Sequence, residues 1–351
     1  MKRTKQNGKQ RRDGGNGGVT AVAKAAGVSI ATASRVLNSN SSVNAEMRGR
    51  VFEAAAKLGY VPNSAAKALR VRRTCLVGAV IPTLDHAFFA RMVDAFQETL
   101  AASGYTVLII TVGFDSSQVF EPVRRLIERG AEALMLVGRI DDEPLQRFIR
   151  ERGIAAVSTY SIVPDAPIPS VGFDNYKAIR QVVEYLLRLG HKHLAMISGP
   201  TKGNDRQQAR VQAFLDARTE HRIRHSWHVV ERSYIDALDQ GASALREIHS
   251  RHPEVTAIVC NSDSLAFGAL AECKRLALEV PGHFSIVGHD DQDFAARLEP
   301  PLTTIAVPAR QMGTIAAQQL IGYLERGEPT KTVCLDAEFL VRGTAGKPRR
   351  T

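Results

Sequence analysis

Apolar positions between residues 75 and 290 fall into short unbroken runs. They are CLVGAVIP (75–82), TVLIITVG (106–113), ALMLVG (133–138) and AAVSTY (155–160). A second series follows: HLAMISG (193–199), WHVVER (227–232), AIVCNS (257–262) and FSIVGHD (284–290). Stretches of helical period separate the runs, one leading through Leu100 and another at 176–189. Such alternation predicts parallel sheets covered by helices on both faces. The series restarts after the proline-punctuated loop PDAPIPS (164–170), which predicts two Rossmann-like lobes of similar size. Ligands of these sheets bind beyond the C-terminal strand ends, so the expected site is a cleft between the lobes.

The first sixty residues follow a different pattern. Val19, Val22, Ala23 and Ala26 form a helical stripe that Gly27 ends. Ser29 is placed to cap a second helix, with Ala33, Val36 and Leu37 inward and Ile30, Ala31, Thr32, Ser34 and Arg35 outward. A third helix spans 44–58, capped by Asn44 and ended by Gly59, with Val51, Ala55 and Leu58 inward and Tyr60 on the core. Two short helices about a glycine turn read as a helix-turn-helix or as an ordinary αα-hairpin; spacing alone leaves both open.

Charge separates the two parts. Residues 1–74 carry 15 Lys and Arg against 3 Asp and Glu, whereas the remainder carries 31 against 33. The whole net charge of +10 thus comes from the first fifth of the chain. A basic end on a near-neutral body is the footprint of a phosphate-backbone binder. Residues 1–18 are polar, basic and glycine-rich, too poor in apolar surface to order themselves. No run of about 18 apolar residues suggests a membrane span. No apolar core follows the basic start, so a secretory signal is not expected and a cytoplasmic, nucleoid-associated location is. The four cysteines are scattered through apolar runs without a C-x-x-C pair, which argues against a disulfide or zinc site.

The wording VAKAAGVSIATASRVLN (22–38), followed by VNAEMRGRVFEAAAKLGYVPNSAAKAL (43–69), resembles the lactose/galactose-repressor family of bacterial transcription regulators. The likeness covers nearly all of the chain after the first eighteen residues. In two places the chain departs: Gly18 stands where the first helix usually has a capping threonine, and Ala33 replaces a valine. The resemblance implies an all-α helix-turn-helix headpiece plus an α/β two-lobed periplasmic-binding-protein-like effector domain. The expected divisions are a disordered arm (1–18), headpiece (19–62), hinge helix and linker (63–74), effector and dimerisation domain (75–345) and loose tail (346–351). Lobe 1 would hold about 75–173 and 305–328, and lobe 2 about 174–304 and 329–345. Crossings between lobes would fall near 172–176, 302–306 and 327–331. The family's tetramer-forming leucine heptad is missing, so a homodimer is expected, on a near-palindromic double-stranded operator. DNA contacts are expected from Ser29, Ile30, Ala31, Thr32, Ser34, Arg35 and Asn38, and from Asn63, Ala66, Lys67 and Leu69 of the hinge. Leu69 matches the family's apolar wedge between base steps.

No catalytic or cofactor fingerprint is present, and neither cofactor nor metal is expected. His191 and His193 read as structural, and Asp290, Asp291 and Asp293 as acceptors of ligand hydroxyls. Seven residues at strand ends match the family's effector positions: Phe88, Phe89, Asp174, Arg210, Tyr234, Asp263 and Asp290. The loop before Arg210 is a residue longer than in close relatives, which makes Arg206 its rival. Carboxylates, arginine and rings suit a sugar or sugar acid. The expected function is a repressor controlled by such an effector. Rival readings are a purine-type corepressor, a solute-binding protein and an enzyme on the same body.

Overall fold

The computed structural model describes residues 18–37, 43–61, 73–115 and 118–349. Asn38, Asn63, Ala66, Lys67 and Leu69, with the expected hinge helix and residues 1–17 of the arm, lie outside them. The chain divides into two compact units, residues 1–74 and 75–351.

The first unit contains α1 (Val19–Ala26), α2 (Ile30–Leu37) and α3 (Ala45–Lys57). Gly18 offers α1 no side-chain cap, while Gly27 closes it at φ +63°, the left-handed region glycine enters without a Cβ clash. Ser29 Oγ accepts the Thr32 N–H at 3.1 Å, and Asn44 Oδ1 accepts that of Glu46 at 2.9 Å. Each bond satisfies a donor that the first turn of a helix leaves open. Val22, Ala23, Ala26, Ala33, Val36, Val51, Ala54 and Ala55 make the core, ringed by Val19, Leu37, Leu58 and Tyr60. Eight small side chains let the helices approach closely. Arg50 adds a tie from α3, donating to the Ala26 carbonyl at 2.5 Å. A cation there also suits the negative end of α1.

The second unit begins with β1 (Leu76–Ile81), α4 (Ala87–Ala102), β2 (Thr106–Thr111), α5 (Phe120–Glu128), β3 (Ala131–Val137), α6 (Glu143–Glu151), β4 (Ala155–Thr159) and β5 (Ser170–Phe173). It continues with α7 (Asn175–Leu189), β6 (Leu194–Ser198), α8 (Asp205–Glu220), β7 (Trp227–Glu231), α9 (Ala237–Arg251), β8 (Ala257–Cys260), α10 (Asp263–Arg275) and β9 (Ser285–Val287). It closes with β10 (Thr304–Ala306), α11 (Ala309–Arg326), β11 (Val333–Leu335) and β12 (Glu338–Leu340). Lobe 1 is a six-stranded parallel sheet in the order β11-β5-β4-β3-β1-β2, and lobe 2 a four-stranded parallel sheet in the order β7-β6-β8-β9. Strands β1, β3, β4, β6, β8 and β9 are almost wholly buried because helices cover both faces, which is why they read as apolar runs, whereas β2 and β7 are partly exposed at sheet edges. Helix α11 returns to lobe 1 and lies so close to α4 that a Cβ on Gly313 would stand 2.1 Å from the Met92 carbonyl oxygen. Among the described residues no helix is long and apolar enough to cross a membrane.

Two expectations need correction. The third crossing does not fall near 327–331. After α11 the chain adds β11 to lobe 1, with Val333 beside Val171, and crosses only at Asp336–Ala337. There β12 pairs antiparallel with β10, Thr304 opposite Leu340. Residues 329–335 therefore belong with lobe 1, because β5 would otherwise be left as an open sheet edge. Nor is the tail loose as far as Arg349. His191 Nε2 and Ser285 Oγ both bond to the Gly346 carbonyl, and Arg349 donates to the Pro253 carbonyl at 2.7 Å.

Candidate functional site

The C-terminal strand ends of both lobes meet at one cavity. Its polar wall comes from lobe 2. Asn204 caps α8, and the first turns of that helix point Arg206, Gln207 and Arg210 inward. Arg210 is fully buried and engaged on three sides. Its Nε donates to Asn175 Oδ1 at 2.8 Å, Nη1 to the Asn261 carbonyl at 3.0 Å, and Nη2 across the cleft to Tyr160 Oη at 3.1 Å. Tyr160 in turn donates to Asp290 Oδ1 at 3.2 Å. Beside this chain Gln207 Nε2 donates to Tyr234 Oη at 2.7 Å, and Asn261 Nδ2 donates to Gln207 Oε1 at 2.8 Å.

Arg206 differs. It is buried, yet among the described residues its one hydrogen bond is to Asp205 Oδ1, at 3.1 Å. Burial pulls its pKa down, and Asp205 and Tyr160 oppose the shift. Its remaining donors face the cavity. Burial also lifts the Asp290 carboxyl to about 6, opposed by Arg210 and His86.

Lobe 1 supplies rings. Phe88 packs edge-on against Tyr160 at 4.1 Å between centroids, and Phe89 and Phe114 extend the wall. His86 stands edge-on to Tyr234 at 5.2 Å, and burial lowers its pKa. The lobes touch around the rim through Ser161 to Asp205 at 2.6 Å and Arg91 to Asp293 at 2.5 Å. The space left inside is about 30 Å³, room for water but not for a sugar ring.

Phe88, Phe89, Arg210, Tyr234 and Asp290, with the rival Arg206, all line this cavity. Asp174 and Asp263 do not. Asp174 is exposed and caps α7, accepting the Lys177 N–H at 2.9 Å. Its neighbour Asn175 is the buried one, turned inward to hold Arg210. Asp263 sits behind the wall, accepting Thr304 Oγ1 at 2.6 Å and the Gln292 N–H at 2.7 Å, so it ties crossing strand β10 to lobe 2. Burial and the nearby Asp290 lift its carboxyl to about 7. Sequence reasoning missed His86, Phe114, Tyr160, Gln207 and Asn261. Tyr160 and Asn261 directly follow the last residues of β4 and β8, the position the strand-end rule marks.

In the first unit the start of α2 presents a surface of small and donor-bearing residues. Ile30 is 50% exposed, and Ser29, Ala31 and Arg35 are exposed beside half-buried Thr32 and Ser34. Ser29 and Thr32 share a hydroxyl bond of 2.8 Å. No acidic side chain stands on α2 to repel phosphate.

Comparison with known proteins joins the two units. Residues 20–63 match the family described as bacterial regulatory proteins, lacI family, and residues 183–345 a periplasmic binding protein-like domain. The chain is 28% identical to the HTH-type transcriptional regulator GntR of Escherichia coli K12, over 91% of this chain and 95% of that one. It superposes on the lac repressor dimer bound to operator and the anti-inducer ONPF with a TM-score of 0.80, at 26% identity, covering 93% and 98%. It superposes on the transcriptional regulator CelR in complex with cellobiose with a TM-score of 0.65, at 27% identity, covering 93% and 99%. A DNA-binding helical unit on a two-lobed α/β body is the architecture of these transcription regulators. The chain thus joins a lacI-family helical domain to a periplasmic-binding-protein-like domain, the make-up of this class of transcription regulator.

Proposed function

We propose that this regulator represses transcription as a homodimer on a near-palindromic operator and releases it when a sugar or sugar acid enters the cleft. One observation carries the ligand reading: Arg206 faces an aromatic wall from inside a polar one, with donors not engaged by protein. A guanidinium fork suits a carboxylate, the hydroxyl-bonding groups around it suit a polyol, and the rings cover C–H faces. This favours a sugar acid over a neutral sugar. The lac repressor relative is a dimer on operator DNA and the CelR relative holds cellobiose, which supports the same reading here.

At the DNA, the start of α2 enters the major groove. Ile30 and Ala31 pack on thymine methyls, Arg35 takes a guanine or phosphate, and Ser29, Thr32 and Ser34 hold phosphates. Asn38, Asn63, Ala66, Lys67 and Leu69 complete the proposed contacts. A ligand shifts the operator equilibrium only if it binds the two lobe arrangements unequally, and one that bridges both walls meets that condition.

Thermal-shift screening of sugars, sugar acids and purines, followed by calorimetry on the free protein, tests the ligand class. A sugar acid should raise the melting temperature and weaken operator binding. A purine that strengthens operator binding would replace this reading with a corepressor. For the DNA face, Ile30→Gln should change the selected operator sequence by about 1–3 kcal/mol of base discrimination. An unchanged motif in binding selection would reject that assignment.

A further inference from the structure

Far from the cleft, three potential metal ligands from two segments converge on lobe 2. His228 lies second in β7, an edge strand, at the end opposite the strand ends that form the cavity. His252 is the C-cap of α9, its N–H bonded to the Ile248 carbonyl at 2.8 Å. The turn that follows, closed by the Val255 N–H on the His252 carbonyl at 3.0 Å, brings Glu254 round to the same spot. One ligand atom from each of the three lies within 4.8 Å of the others.

Other features of this patch point to an ion. The His228 and His252 rings stack 3.4 Å apart at 18°, which places two imidazoles side by side. His228 Nε2 is a buried atom with no hydrogen-bond partner, standing 3.5 Å from Glu254 Oε1. Just before the strand alongside, His193 Nδ1 is also buried and without a partner, its ring 4.5 Å from that of His225. Buried polar nitrogens left open are uncommon, and an ion is one of the things that satisfy them. The negative end of α9 favours a cation beside His252. About a quarter of the His228 side chain and a third of Glu254 remain exposed, so an ion can enter from solvent.

We propose that His228, His252 and Glu254 bind a divalent transition metal of the zinc class. Two imidazoles and one carboxylate form a borderline donor set suited to zinc, with water as the fourth ligand. Bonds of about 2.0–2.1 Å would bring the ligand atoms to about 3.4 Å apart. The two near-parallel rings would have to turn about χ2 for a nitrogen of each to face one ion. The ion would clip the start of β7 to the end of α9. This contrasts with the sequence expectation of no metal, because the three ligands come from two separate segments and from no recognised motif.

The test is a zinc titration by calorimetry of the full chain, prepared without a histidine tag and stripped with chelator. Cobalt is a second probe, read by its visible absorption. The expected result is one ion per chain at micromolar affinity or tighter, with a rise in melting temperature. His252→Gln and Glu254→Gln should each weaken binding about tenfold or more and abolish that rise. Both variants should melt near the parent when metal-free and bind operator DNA as it does. His228→Ala alters an edge strand, so the other two variants keep the test decisive if it fails to fold. Cys334→Ser, which removes an exposed thiol, should change nothing. No binding below about 100 µM, undiminished binding in both variants, or loss in Cys334→Ser would overturn the site.

Discussion

The two walls of the cleft are built on different principles. On lobe 2 nearly every polar group answers to another: Arg210 to Asn175 and Asn261, Gln207 to Tyr234 and Asn261. On lobe 1 Phe88, Phe89 and Phe114 meet their neighbours through ring edges and faces. Hydrogen bonds are directional and fix orientation, whereas ring contacts tolerate sliding. One wall is therefore a frame and the other an adjustable cover. The contrast divides the polar wall too. Arg210 holds the frame, while Arg206 points donors at whatever enters.

The largest expected effect tests that division. Arg210→Ala strands Asn175, Asn261 and Tyr160 without their buried donor and should cost about 3–5 kcal/mol, read as a lower denaturation midpoint. If stability holds and effector affinity alone collapses, Arg210 is a ligand group and the two arginines exchange roles. Next, Arg206→Gln should weaken the effector about 100-fold, roughly 2.7 kcal/mol, with stability little changed. Calorimetry against the sugar acid found by screening measures it.

Behind the frame, Asp263 gives a smaller effect with a defined sign. Its carboxyl sits at about 7 in the folded chain against an ordinary 3.8. Between those values the native state keeps a proton that the unfolded chain releases, so stability falls as pH rises and levels off above about 7. Asp263→Asn should remove a component of about 2 kcal/mol from that slope, seen by comparing denaturation midpoints at about pH 5 and pH 8. A parent and variant with parallel pH profiles would refute it. Smallest is Asp174→Ala, which loses a helix cap worth about 1 kcal/mol and should leave effector affinity untouched. A tenfold loss of effector affinity would return Asp174 to the cleft.

Six of the eight runs were readable as strands because they are buried on both faces, while the partly exposed β2 and β7 were readable from their place in the alternating series. Strand β11 was not, since VCL is short, half exposed and placed at a sheet edge. That one strand moves the third crossing from near 327–331 to Asp336–Ala337. Within the site, the strand-end rule located the cleft but not which residue of each loop faces it. Asn261 lines the cavity while Asp263, two positions on, turns toward Thr304. Each helical residue advances about 100°, so a shift of one or two positions changes what a side chain touches. Asp174 and Asn175 repeat the lesson, because carboxylate chemistry favoured the wrong member of the pair. Tyr160 was overlooked because its aromatic ring read as the last apolar residue of a strand.

The narrow cavity has a consequence in time. With about 30 Å³ between walls that touch at the rim, this arrangement of the lobes has no room for a sugar ring, and binding one requires the walls to separate. Entry of an effector therefore waits on the lobes parting, a motion of microseconds to milliseconds, however strong the contacts it makes afterwards. The rate of response is then set by the rim bonds of Arg91 and Ser161 as much as by Arg206. Loosening those bonds would shorten the interval between the rise of effector concentration and the release of the operator.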